Sequence, residues 1–417
     1  MKSKFTGRRS VSLIRILFVY TLLLSLFAGG VRSQDEFELV QSAPSETIYE
    51  SSELPKTFDV WKKMIDESKV TIDIEAFYFA DAKGEPLENI IESIKNSSQR
   101  GVKVRIIVDS SFYARNDKSV DLLEGIENIS IRKIPYGNLA GGVMHAKYFI
   151  VDNENLFLGS QNMDWRAIKH IHEIGVRVKN KSLANTFKEL FETDWKLCEG
   201  NIYGLVNQKP VNVVNSENPV KLISGKYGEM TLYPSFSPPV LNVTGFSSEE
   251  DELLKIIENT KERLLIQIYS FSDKDRYDTV QFSKISDALI KAAGRNVSIK
   301  MILPDWAMRD YSEDFLKELS KFNNIEIKIS TIPQYSGGFI PFARVDHSKY
   351  LISDNDISWV STSNWESGYF RRSRNVTMII NNNMVNEDLV KVFETGWTSP
   401  YVNFIDINKK YESVKRN

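Results

Sequence analysis

Cysteine is almost missing from this chain: Cys198 is the single one in 417 residues. No internal disulfide can form, so a protein of this size has to rely on its apolar core. Cys198 has no partner thiol and sits just ahead of the turn at Gly200, so it reads as a core filler rather than a reactive group. Proline is sparse at 13 residues while aromatics reach 11%, which excludes extensive disorder. Positive charge is also short. The chain carries −2, and removing residues 1–33, which hold six Lys/Arg and no acid, leaves −8. Sequence-blind coating of nucleic acid needs a broad basic face, so any such contact has to be a local groove. The apolar run at 16–28 falls short of the roughly 20 residues that a membrane span needs.

That run has a context. Lys2, Lys4, Arg8, Arg9 and Arg15 precede it, and Ala28, Gly29 and Gly30 follow it, ahead of an acidic stretch from Asp35. This is the order of a secretory signal peptide over residues 1–33, cut near Gly30 or Ser33. The alternative is an uncleaved anchor in which Val11–Ile14 lengthens the run. Either reading places the protein in the secretory pathway, secreted or in the endosomal or lysosomal lumen, with membrane-surface contact open to it. Sequons stand at Asn96, Asn128, Asn180, Asn242, Asn296 and Asn375; they are compatible with glycosylation and do not demonstrate it.

The rest of the chain is a duplication. Ile134-Pro135-Tyr136 precedes Met144-His145-Ala146-Lys147-Tyr148, and Ile340-Pro341-Phe342 precedes Asp346-His347-Ser348-Lys349-Tyr350. His145 to His347, Asn162 to Asn364, and Phe191-Glu192-Thr193 to Phe393-Glu394-Thr395 all stand 202 residues apart. A constant offset over fifty residues means one copied unit. Each copy alternates strand-like and helix-like stretches. Strands are expected at 70–79, 102–108, 129–134, 148–158 and 175–178, and again at 264–271, 297–303, 325–329, 350–360 and 376–380. Helices are expected at 57–67, 87–98 and 183–195, then at 249–261, 283–293, 313–321 and 385–397. The fold class is α/β: two homologous α/β/α sandwich domains, 34–225 and 226–417, packed as a pseudo-dimer. The periodicity lapses over residues 207–248, which hold several Pro, Gly and Ser, and the stretch 233–239 within them reads as connector or loop near the seam.

Two of the four histidines occupy one frame, His-x-Lys-x4-Asp, at His145/Lys147/Asp152 and His347/Lys349/Asp354. Residues two apart on a strand share a face, so each His and its Lys point the same way. Small polar turns follow, Gly159-Ser160-Gln161-Asn162 and Ser361-Thr362-Ser363-Asn364. Two imidazoles, two ammonium groups and two carboxamides facing one another suit a phosphodiester. Lys147, Lys349, Asn162 and Asn364 would hold the phosphoryl oxygens. One histidine would attack phosphorus and the other would protonate the leaving oxygen and then activate water. Residue chemistry does not order the two. No metal or other cofactor is required, because the protein supplies the cationic clamp. A single histidine would more simply be structural; a matched pair with Lys and Asn at fixed offsets is not.

These paired motifs resemble the phospholipase D superfamily over about residues 50–402. Gly159–Arg166, Ile340–Tyr350, Thr362–Phe370 and Trp397–Tyr401 look closest to the animal lysosomal phospholipase-D-like 5′-exonucleases and their poxvirus relatives. The resemblance implies His145 as nucleophile, His347 as general acid, and Glu173 as the residue that orients an imidazole. At the repeat position of Glu173 stands Asn375, so that partner is weakened or supplied elsewhere. The resemblance leaves Asp152 and Asp354, the last members of the candidate catalytic set, bracing the motifs. His170 and His172 lack the frame and read as exposed or structural, with a minor site role left open by Glu173 beside them. Trp165, Trp365, Tyr369 and Phe370 fit either a cleft wall or the core, as do Phe77 to Phe79. Gly141/Gly142 and Gly337/Gly338 fit flexible lips or ordinary turns. The expected activity is a phosphodiester hydrolase acting through a phosphohistidine. Its substrate is single-stranded nucleic acid trimmed from a 5′ end, or else phosphatidylcholine. An inactive binding glycoprotein is the non-enzymatic alternative.

Overall fold

A computed structural model describes residues 35–115, 118–200, 213–275, 278–309, 311–412 and 414–417. The signal or anchor expected over 1–33 lies outside the described residues. Among the described residues, no helix is long and apolar enough to cross a membrane.

The repeat is visible strand by strand. One sheet has seven strands in the spatial order Glu36–Ser42, Glu173–Lys179, Asn155–Gly159, Lys147–Val151, Thr71–Ala76, Lys103–Asp109 and Ile129–Ile134. The second repeats that order with Gly228–Ser237, Asn375–Asn381, Ile357–Ser361, Tyr350–Ser353, Arg263–Gln267, Ser298–Pro304 and Ile325–Ser330. It gains Val220–Ser224 at one edge and Val402–Phe404 at the other.

Helices cover both faces of each sheet. On the first, Thr57–Asp66 and Pro86–Gln99 bury Trp61, Ile65, Ile90 and Ile94 against Ile72, Ile74 and Ile106. On its other face lies Lys181–Leu197, whose Leu183, Phe187, Leu190 and Phe191 recur at helical spacing and are buried. Asn180 caps this helix, its Oδ1 accepting from the N–H of Ser182 and Leu183 at 3.0 and 3.1 Å. Asn382, 202 residues on, caps Asn383–Trp397 through the Val385 N–H at 2.9 Å. These two helices and the inner faces of both sheets share one apolar core, with Leu158 and Val176 from one copy and Val360 and Val376 from the other. That shared core holds the two motif-bearing sheet ends together.

Three expectations need correction. The strands expected at 148–158 and 350–360 are each two strands, folded back as hairpins: Phe149 pairs Phe157, and Leu351 pairs Trp359. Asp152, Asn153 and Asp354 take φ of +53°, +53° and +50°, a left-handed turn that Asp and Asn tolerate and β-branched residues do not. The polar runs Asp152-Asn153-Glu154-Asn155 and Asp354-Asn355-Asp356 between the apolar stretches are the turn signal, passed over because each aspartate is also a member of its motif. The stretch 233–239 is not all connector: Gly228–Ser237 is a strand that runs antiparallel to Asn375–Asn381 with Pro234 opposite Met378, and Val220–Ser224 pairs along its other edge. Gly142 is no flexible lip. A Cβ there would lie 2.4 Å from the Arg372 carbonyl oxygen, so glycine permits the close approach of the two copies beside His145.

Candidate active site

The site forms where each motif strand begins. His145 does not stay within its own copy: its N–H donates to the Arg374 carbonyl at 2.9 Å, and Met144 pairs in parallel with Arg374. The His347 N–H donates to the His172 carbonyl at 2.9 Å, and Asp346 pairs in parallel with His172. Two short straps therefore stitch the copies together, each carrying one motif histidine.

The straps set the side chains. His145 Nδ1 lies 3.0 Å from Asn375 Oδ1, and His347 Nδ1 lies 3.0 Å from both carboxylate oxygens of Glu173. His145 Nδ1–H donates to the Asn375 amide oxygen, which can only accept, and one proton lies between His347 Nδ1 and Glu173, so Nε2 is in both rings the nitrogen available to the cleft. Lys147 Nζ donates to the His145 carbonyl at 2.6 Å, and Lys349 Nζ donates to the His347 carbonyl. Each ammonium also lies about one ring away from an aromatic face, Lys147 5.0 Å from Phe77 and Lys349 5.1 Å from Tyr269.

Both histidines and both asparagines line one cleft of about 480 Å³. Its walls are aromatic. Phe77, Tyr78 and Phe112 stand on one side, with Trp165, Tyr269, Trp306, Phe342 and Tyr369 around the remainder. Phe77 and Tyr369 meet the His145 ring edge-on at 5.0 and 4.9 Å, and Tyr269 meets His347 at 4.7 Å. The Oδ1 atoms of Asn162 and Asn364 are buried without a hydrogen-bond partner among the described residues. Beneath Asn364, the carboxylate of Glu249 accepts from Ser361 at 2.6 Å and Ser363 at 2.8 Å, fixing the turn.

Burial dominates the electrostatics. It holds His145 well below its ordinary range, and the ammonium groups of Lys147 and Lys349 push the same way. His347 is lowered by burial and the same two lysines. Burial brings Lys349 down to about 7 and Lys147 well below the ordinary lysine range. It pushes Glu173 up to about 8, against the pull of Lys349. Glu173 and His347 thus share one proton across their hydrogen bonds. A phosphodiester anion among these groups reverses the pressure on every cation at once. Such a site favours the charged substrate over the empty state.

The structure brings His145, Lys147, Asn162, Glu173, His347, Lys349 and Asn364 together. It does not bring Asp152 and Asp354 to the cleft. They sit beyond the far ends of the motif strands, where Asp152 accepts the N–H of Lys69, Val70 and Thr71 and Asp354 those of Lys261, Glu262 and Arg263. Asn375 is an imidazole partner and fully buried, so its sequon is closed to a glycan in the folded chain. Trp165 and Tyr369 line the cleft, while Trp365 and Phe370 are core; Phe77 and Tyr78 line it and Phe79 does not. Sequence reasoning missed Phe112, Tyr269, Trp306 and Phe342. Tyr269 had a signal, since it follows its strand as Phe77 follows the corresponding one. Burial pushes the Cys198 thiol up to about 12, which keeps it unreactive. Among the described residues, no cluster of three or more His, Cys, Asp or Glu is placed to hold a metal ion.

A duplicated α/β fold that closes two His-Lys-Asn sets around one cleft defines a phosphodiesterase of the phospholipase D type. Residues 61–195 and 253–397 match the family described as cardiolipin synthase, PLD-like domain, and the chain belongs to it. The 5'-3' exonuclease PLD3 of Xenopus laevis is 29% identical over 406 residues, covering 89% of this chain and 82% of that protein. The virion nicking-joining enzyme of vaccinia virus (strain Western Reserve) is 29% identical over 363 residues, covering 83% and 84%. Phosphatidylserine synthase of Haemophilus influenzae superposes with a TM-score of 0.62 at 12% identity, over 85% of this chain and 87% of that one. That structural likeness establishes the fold.

Proposed function

We propose that this protein is a 5′-exonuclease that hydrolyses single-stranded nucleic acid through a phosphohistidine. One observation carries the reading: two imidazoles from opposite copies line one cleft, each with Nδ1 held by a residue of the other copy. Asn375 is a neutral partner, so His145 rests as a neutral imidazole with its Nε2 lone pair free, which suits a nucleophile. Glu173 shares its proton with His347 Nδ1, so His347 Nε2 can give a proton to the leaving oxygen, which suits the general acid.

In the first step His145 Nε2 attacks phosphorus, the bond to the leaving oxygen breaks, and the His347 proton goes to that oxygen. In the second, His347 takes a proton from water, the resulting hydroxide attacks phosphorus, and the P–N electron pair returns to His145. Lys147, Lys349, Asn162 and Asn364 hold the non-bridging oxygens throughout, and Asp152 and Asp354 brace the strands from behind.

The aromatic walls and the naming of the Xenopus relative as a 5'-3' exonuclease support nucleic acid as the substrate. Unstacked bases find aromatic faces in the cleft, and a stacked duplex does not offer its bases that way. We also place the protein in the endosomal or lysosomal lumen, on the signal-like order of residues 1–33. The test is a purified chain given 5′-hydroxyl, 5′-phosphorylated and 3′-blocked oligonucleotides alongside phosphatidylcholine vesicles. Stepwise loss from the 5′ end, slowed by the 5′-phosphate and indifferent to the 3′ block, is expected. Choline release without oligonucleotide cleavage would transfer the protein to lipid hydrolysis.

A further inference from the structure

His172 is wholly buried, absent from the cleft lining, and unused by the reaction just described. Its Nδ1 lies 2.8 Å from Asp346 Oδ1, and neither side chain has any exposed surface. Its Nε2 lies 2.9 Å from Gln41 Nε2, and the Tyr49 ring stacks on it at 4.0 Å, tilted by 14°. His172 immediately precedes Glu173, and Asp346 immediately precedes His347. We propose that His172 and Asp346 form a positioning pair that sets the geometry of the Glu173–His347 dyad.

The two segments run in parallel, tied by His172 N–H to the Val345 carbonyl at 3.0 Å and His347 N–H to the His172 carbonyl at 2.9 Å. Successive residues of extended chain point to opposite faces. One face of the strap therefore presents Glu173 and His347 to the cleft, and the other presents His172 and Asp346 to the interior. Clamping the inner pair fixes the outer one. The second strap has the same plan with different chemistry. There Arg374, one residue before Asn375, is fully buried and binds Asp194 through Nε and Nη2 at 2.8 Å each. A buried polar pair is a poor source of net stability compared with apolar residues of the same volume; what it adds is directional constraint. The position before each orienting residue is where that constraint is wanted.

This inference rests on the phosphoryl-transfer reading, and one comparison separates the two. Asp346→Ala and Asp346→Asn are assayed beside the unaltered chain on an oligonucleotide and on thymidine 5′-(p-nitrophenyl phosphate). The nitrophenolate leaves without a proton, so its release in the first turnover does not need His347 as acid. Asp346→Ala should lower kcat on the oligonucleotide by about 30- to 100-fold with KM within about twofold. It should keep a nitrophenolate burst at the unaltered rate, while phosphohistidine accumulates on His145 because water activation is slow. Asp346→Asn, whose amide oxygen still accepts from His172, should recover to within about threefold. A folded Asp346→Ala with unaltered kcat, or one that loses the burst and the oligonucleotide reaction equally, overturns the proposal. Should Asp346→Ala fail to fold, Gln41→Leu removes only the outer contact to His172. It should show the same burst pattern with a loss of about three- to tenfold, and unchanged kinetics there overturn the proposal too. An unaltered chain that cleaves neither substrate sinks the phosphoryl-transfer reading instead.

Discussion

Glu173 reaches across 174 residues of sequence to hold His347 Nδ1 with both carboxylate oxygens at 3.0 Å. The corresponding bond on the other strap comes from Asn375 to His145, across 230 residues. Each half thus supplies a histidine and the orienter for its partner's histidine. Neither half can assemble a working imidazole alone.

Removing either imidazole should end turnover. His145→Ala and His347→Ala are each expected to lower kcat by more than about 10³-fold while leaving the fold intact. Only the His347 variant should trap a nucleotidyl group on protein, detected as acid-labile radiolabel from thymidine 5′-(p-nitrophenyl phosphate), whose leaving group needs no proton. Labelled His145→Ala would invert the assigned order.

The pH profile should change in opposite directions at the two orienters. Glu173 is raised to about 8 by burial, so the proton it shares with His347 is retained below that pH and lost above it. Activity should fall as pH rises through about 8, and Glu173→Gln should move that limb to lower pH, because His347 alone is held below its ordinary range. Asn375→Asp places a carboxylate beside His145 and raises that imidazole's pKa. The acid limb of kcat/KM should then move upward. Profiles that stay superimposed in both variants contradict the dyad assignment.

Buried cations should cost stability. Lys349 titrates at about 7 in the fold against an ordinary 10.5. Unfolding therefore takes up a proton between those pH values, and the penalty is complete below about 7. Lys349→Met should raise Tm by about 2–5 °C at pH 7 while lowering activity by about 10³-fold. The gain in Tm should shrink as pH rises towards 10. Thermal scans at pH 7 and 9.5 check both statements, and a Tm that falls at pH 7 would refute the account of the lysine.

The aromatic wall should govern binding rather than chemistry. Phe342 is 47% exposed and lines the cleft. One base stacked on a ring is worth about 1–3 kcal/mol, so Phe342→Ala should raise KM for oligonucleotides by about five- to 150-fold with kcat nearly unchanged. Equal loss in kcat, measured on the same oligonucleotide, would place this ring in the reaction instead.

Sequence by itself determined a good deal here. The 202-residue offset announced two copies of one α/β unit. The period-two spacing of His145 with Lys147, and of His347 with Lys349, put imidazole and ammonium on one face, because alternation along a strand is a local property of the backbone. The turns at Asp152 and Asp354 were legible in the polar runs 152–155 and 354–356 and were passed over because the aspartates were read only as motif members; the left-handed φ makes the hairpins plain. The exchange of orienters, the burial of His172 against Asp346, and the gathering of Phe112, Trp306 and Phe342 into one wall were decided by tertiary structure alone. A repeat offset states which residues are equivalent, never which ones touch. Contact between positions 174 or 230 residues apart follows from how two sheets pack on their shared core, and that packing is a property of surfaces, which no linear pattern records.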